Sequence, residues 1–182
     1  MKKLLLFITI IFLGTTTLSF AGFEMAARGG LGNYLTDTSD LESTVTFIKY
    51  GFGKEIEMGY YKDRTAFGLN FGSWRILKMK NKSSGAIAET SLIPLGLYAR
   101  YDLIKNYLYA FSTFQIDTMQ LTSSGDIFYY FLSGVGLGLG TSIPLSKKVF
   151  LDIRSVFHMM REVTYNYVDY ALLSSAGLLV RF

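Results

Sequence analysis

The chain has no cysteine, two prolines, one histidine and one tryptophan in 182 residues. Without cysteine there is no disulfide framework, no thiolate metal centre and no lipid-modified N-terminal cysteine. One histidine leaves little from which to build a metal site, so none is expected. Net charge is scarce too. Lysine and arginine number 18 against 14 acids, and Lys2 and Lys3 belong to a leader, so the remainder carries 16 against 14, or +2. The pI of about 9.2 is therefore no argument for nucleic-acid binding. Beyond residue 21 no apolar run approaches the roughly 20 residues that a spanning helix needs.

Hydrophobic residues nevertheless make up 50% of the chain and aromatics 16%, with 18 glycines. Hydrophobicity without long runs must be dispersed in alternation. Residues 1–21 are the exception. Lys2 and Lys3 precede an apolar stretch from Leu4 to Leu13, then Gly14, a threonine cluster and Ser19-Phe20-Ala21. That order, too short to span a bilayer, is expected for a removed export signal, leaving residues 22–182 as a single domain.

The alternation is clearest at the end of the chain. In steps of two back from Phe182 stand Val180, Leu178, Ala176, Ser174, Leu172 and Tyr170; between them stand Arg181, Leu179, Gly177, Ser175, Leu173 and Ala171. One set is an apolar band with an aromatic at each end, and the other is small or charged, as in a strand with lipid on one side and a packed interior on the other.

Three short turn signals, Tyr61–Arg64, Leu103–Asn106 and Ser146–Lys148, alternate with longer polar stretches at Thr36–Thr44, Lys78–Gly85, Leu121–Asp126 and Glu162–Tyr167. Seven connections join eight strands, expected near 23–35, 45–60, 65–77, 86–102, 107–120, 127–145, 149–161 and 168–182. Long connections come first and last, so both termini fall on the short-turn side, the arrangement of periplasmic turns and external loops. The fold class is an all-β, eight-stranded antiparallel up-and-down transmembrane β-barrel in a bacterial outer membrane.

Parity then sorts the faces. Ile93, Leu95, Leu97, Ala99 and Tyr101 point out in the fourth strand, and Tyr129, Phe131, Val135, Leu137 and Leu139 in the sixth. Inward parity collects Glu24, Glu55, Glu57 and Asp152 with Arg28, Arg100, Arg154 and Arg181. Four acids facing four bases in a narrow interior predict an interlocked ion-pair network that fills the lumen. Trp74, Asn70 and Tyr98 are expected to add bulk opposite the inward glycines Gly134, Gly136, Gly138 and Gly140. Outward aromatics Phe23, Tyr60, Phe67, Tyr101 and Phe182 form an interfacial girdle. Two residues resist the pattern. Lys54 falls on the lipid face, where a charge costs about 2–4 kcal/mol at the midplane and calls for a bulge or snorkelling. Pro94 lacks the N–H that a ladder requires, so a local irregularity is expected there.

Export signal, alternating strands, basic short turns and terminal Phe together resemble the small outer-membrane β-barrel superfamily, including OmpA-, OmpX- and OmpW-like proteins. The resemblance spans residues 22–182, including Gly53–Tyr60, Ile93–Tyr98 and the glycine-rich sixth strand. It implies the fold and the location; members range from structural barrels and narrow conduits to adhesins and a few enzymes. The terminal strand, with Leu178, Val180 and Phe182 on one face, resembles the C-terminal signal read by the barrel assembly machinery, and that machinery is an expected partner. Outer-membrane lipid and lipopolysaccharide are the others, and the barrel is expected to be a monomer.

Chemistry is thin. Gly134–Gly140 has the spacing of a phosphate-binding loop, but no helix follows and no cofactor is expected. Lipid A deacylases on similar barrels carry Ser two residues after their His, followed by Asn. Here Met159, Met160 and Arg161 follow His158. His158 faces inward, with Asp117 or Glu162 to orient it and no evident nucleophile, so catalysis is not expected.

Overall fold

The computed structural model describes residues 22–38, 43–123, 126–162 and 168–182, and the expected export signal lies outside them. Among the described residues nine strand segments are formed: β1 (Phe23–Tyr34), β2 (Val45–Ile48), β3 (Tyr50–Lys62), β4 (Thr65–Asn81), β5 (Ile87–Ile104), β6 (Leu108–Ser123), β7 (Asp126–Pro144), β8 (Val149–Glu162) and β9 (Val168–Arg181). β2 and β3 both lie along β4 and make up one wall position, so the barrel has eight staves. All neighbours are antiparallel, and β9 pairs with β1 while β5 pairs with β4, closing the sheet. Closure leaves no stave with an unpaired edge in lipid, where backbone groups would have no partner.

Ladder partners followed around the barrel from Met25 pass through Met58, Leu69, Leu97, Phe114, Val135, Met159 and Tyr170 and return to β1 at Leu35, ten residues further on. That stagger tilts the strands by about 40°. It leaves an interior that side chains can fill. The tight turns demand special backbone at Asp63 (φ 57°) and Asn106 (φ 64°), residue types that tolerate the left-handed region. Gly22, Phe182 and the short turns share one end of the barrel, as the turn signals predict.

Parity holds through the membrane-facing zone. Leu95 (58% exposed), Leu97, Phe114, Leu137 and Leu139 stand on the outside, while Tyr98, Arg100 and Gln115 are buried within. A lower girdle pairs Phe23 with Phe182 (ring centroids 6.0 Å) and Tyr60 with Phe67 (5.9 Å).

The structure corrects three expectations about the strands. The second strand is interrupted at Lys49, whose carbonyl accepts from the Tyr34 N–H at 2.7 Å. Lys78–Asn81, read as loop, continue β4, held by Val45–Ile48 on one side and Ile87–Glu89 on the other. No bulge relieves Lys54, which is ladder-paired on both sides, to Gly29 and Ser73. Pro94 behaves as its missing N–H dictates. The β4–β5 pairing lapses between Phe71↔Leu95 and Trp74↔Leu92, and the register itself shifts just beyond, between Arg75 and Leu77.

Candidate functional site

The eight charged residues assigned inward by parity are all buried, from Asp152 at 0% to Arg181 at 9% exposure. They form two groups. In the first, Arg28 of β1 meets Asp152 of β8 through Nε at 2.6 Å and Glu57 of β3 through Nη1 at 2.9 Å. Arg154 of β8 reaches Glu55 at 2.7 Å and also bridges Glu57. Remaining oxygens are occupied by hydroxyls: Tyr109 donates to Asp152 at 2.9 Å, Ser142 to Asp152 at 2.7 Å and Ser175 to Glu55 at 2.7 Å. Buried charges persist only when paired and hydrogen-bonded in this way.

The second group lies nearer the short turns. Glu24 accepts from Arg100 at 2.7 Å, from Tyr98 at 3.1 Å and from Arg181 at 3.3 Å. Here the structure adds a residue that the inward set omitted. Asp102 is 1% exposed, 3.4 Å from Arg100 and 3.8 Å from Arg181, so five acids meet four arginines. Its parity with Arg100 was the available signal; it sits at the end of the expected strand, where faces cease to be assigned. Asp102 also accepts from the Asn106 N–H at 3.1 Å, and Asn106 accepts from Arg181, which ties a short turn to the interior.

Aromatic faces cover Arg100, Arg154 and Arg181. The Arg154 guanidinium stands 3.9 Å from the Phe111 ring centre and Arg181 stands 3.9 Å from that of Tyr61. Such stacking suits a planar, weakly hydrated cation removed from water.

Above the arginine clusters lies a second polar tier. Asn70 donates to Gln115 at 2.9 Å, Gln115 to Asp117 at 2.9 Å, and His158 Nε2 is 2.8 Å from Asp117 Oδ2. Asp117 is thus the partner of the sole histidine. The inward glycines make room for Asp117, His158, Thr113, Val156 and Tyr109, rather than for Trp74, Asn70 and Tyr98. A Cβ on Gly134 would fall 1.9 Å from Asp117 Oδ2, and one on Gly140 would fall 2.2 Å from the Tyr109 ring. Trp74 instead joins Ile76, Leu77, Leu92, Leu132, Met160 and Leu173 in an apolar cluster toward the far end, with Tyr34 donating to Asp169 at its margin.

A closed eight-stave barrel with a polar interior and an apolar outer belt, broken at Lys54 and edged by an aromatic girdle, is a membrane-spanning architecture of the outer-membrane type. The chain is an outer-membrane β-barrel protein. No family model matches it by sequence, and no curated protein does either. Its fold is similar to that of Neisserial surface protein A, at 17% identity and TM-score 0.62, over 89% of this chain and 98% of that one. It is also similar to Ail, the attachment invasion locus protein of Yersinia pestis, in complex with the heparin analogue sucrose octasulfate (9%, TM-score 0.56, 87% and 99%). A third is outer membrane protein OprG from Pseudomonas aeruginosa (10%, TM-score 0.50, 89% and 96%). At these identities the likeness is one of fold alone.

Proposed function

We propose that the protein is a structural or surface-interaction component of the outer membrane, monomeric and without catalysis, whose lumen is closed by its ion pairs. The observation that carries this reading is the stacking of three unlike tiers in one narrow interior: paired charges toward the short turns, an amide and imidazole tier above them, and the Trp74 cluster above that. Eight staves give an interior that side chains fill. Short turns face the periplasm and the longer connections face outward. Contacts with lipopolysaccharide and recognition of the terminal strand by the assembly machinery complete the reading.

Planar-bilayer recording of the purified barrel tests it. A closed lumen gives no steady current, and large stable currents would replace this reading by a narrow conduit for a small or apolar solute. The observation that favours the conduit is a set of buried polar atoms without a protein partner, Asn70 Oδ1, Trp74 Nε1 and Thr113 Oγ1, which water would satisfy. Mass spectrometry of lipid A from cells with and without expression tests the absence of catalysis: altered acylation would overturn it.

A further inference from the structure

Lys54 faces lipid. It stands six residues above Tyr60 of the lower girdle on β3. At about 3.3 Å per residue and a tilt of about 40°, that places it about 15 Å up a belt about 25 Å tall. Among the described residues no carboxylate lies within ion-pair distance of it. An ionisable residue at membrane depth points to a function and to a missing partner.

The partner's chemistry follows from what lies above it. Lys54 opens a groove of about 290 Å³ lined by Phe52, Gly53, Ser73, Arg75 and Ser91. Arg75 is exposed, 3.6 Å from Glu89, and Lys78 is 3.1 Å from the same carboxylate. Lys80 is exposed one ladder step higher on that face. Four cations with one acid thus climb a single flank from within the belt to the rim. At comparable heights around the barrel the outer face carries Phe71, Leu95, Phe114 and Leu137 instead.

The bulge between Arg75 and Leu77 builds this flank. In unbroken register Leu77 and Met79 would share the outer face with Arg75, and Lys78 and Lys80 would point into the lumen. The shift reverses them. Leu77 is buried and Met79 packs on the interior cluster, while Lys78 and Lys80 join Arg75 outside. Re-aiming side chains is what bulges do.

We propose that this flank binds the phosphate-bearing head of a lipid A-type glycolipid of the outer leaflet, with Lys54 and Arg75 beneath the phosphate, Lys78 and Lys80 at the rim and the Ser73 and Ser91 hydroxyls beside it. The proposal rests on the assignment of the longer connections to the outside. A second copy of the chain is a poor occupant, since a twofold contact would set these cations against their own counterparts. An anionic lipid head supplies the missing charge, and its acyl chains lie naturally along Phe52 and the apolar belt.

The test uses the purified full-chain barrel in detergent micelles, with bound lipid counted by native mass spectrometry. Bisphosphorylated lipid A should bind about tenfold better than the same lipid stripped of phosphate, the weight of one charge-assisted hydrogen bond. Lys54→Leu with Arg75→Gln should lower that binding by about tenfold, while Lys105→Gln with Lys147→Gln, at the opposite rim, should not change it. Lys54→Leu places an apolar side chain in lipid, so folding is not endangered, and heat-modifiable gel mobility verifies it. Equal binding of the stripped lipid, unchanged binding by the double variant, or displacement by millimolar inorganic phosphate would each overturn the proposal. Binding in micelles is independent of orientation, so its failure is distinguishable from a reversed topology, which surface labelling reads.

Discussion

Glu24 on β1 and Arg100 on β5 meet at 2.7 Å across the lumen, although their strands share no ladder and the residues lie 76 positions apart. A contact of this kind braces the cylinder from within, where the ladders brace it only around the wall.

Removing one partner leaves the other buried and unpaired. Arg100→Ala is expected to destabilise the barrel by about 3 kcal/mol, the low end for a broken buried pair, because Arg181 still reaches Glu24. The double variant Glu24→Gln with Arg100→Met, which removes one charge of each sign, should cost less than the single change. Urea unfolding in lipid vesicles, followed by the fluorescence of the single tryptophan, measures both; a double variant worse than Arg100→Ala would refute the pairing as the source of the effect.

Glycine in β7 answers to the interior and not to strand propensity. Gly134→Ala should cost about 1–3 kcal/mol by overpacking, since its Cβ would displace the Asp117 and His158 side chains. Gly29→Ala is the control. Its Cβ faces lipid with only the Gly53 carbonyl oxygen near, at 3.7 Å, and the variant should unfold like the parent. Equal losses at both positions would trace the effect to the backbone.

The orientation of the barrel is open to direct measurement. Cysteines introduced singly at Ser43 and Ser84 should react with a membrane-impermeant maleimide on intact cells, and those at Lys105 and Lys147 only after lysis. The reverse pattern would invert the barrel.

Much of this was legible in the sequence because lipid on one side and a packed lumen on the other impose a period of two on every stave. Where lipid ends, the signal ends. Lys78–Asn81 continue β4 beyond the belt, where Lys78 and Lys80 face out and Met79 alone packs inward, too short an alternation to tell from a polar loop, so they read as loop. Parity placed Arg28, Glu57, Asp152 and Arg154 inside, but pairing depends on which staves face one another and by how many residues they are staggered. Nothing near Arg28 in sequence announces Asp152, 124 positions away. The break at Lys49 and the bulge at Arg75 were invisible for a related reason: each answers the other strand's geometry, and neither carries a glycine or proline to mark it.

The terminal strand closes the barrel. Arg181 is laddered to Glu24, and the Phe182 N–H donates to the Phe23 carbonyl at 2.8 Å, while its ring meets that of Phe23 on the lipid face. Leu178 and Val180 face outward from the same strand and lie across from Ala27 and Met25. An open seam in lipid would expose backbone groups at several kcal/mol each, so closure is the step on which assembly turns. If the assembly machinery receives this strand by pairing with it, the outward set Leu178, Val180 and Phe182 is what it meets first. Deleting Phe182 removes two seam hydrogen bonds, from the Phe182 N–H to the Phe23 carbonyl and from the Gly22 N–H to the Phe182 carbonyl, and one girdle contact, but leaves the Arg28 and Arg154 ion pairs untouched. The truncated protein should be exported, accumulate unassembled in the periplasm and lose heat-modifiable mobility. Val180→Asp, which puts a charge on the same face, should do the same. Normal membrane yield and mobility in both variants would show that the terminal strand closes the barrel without directing its assembly.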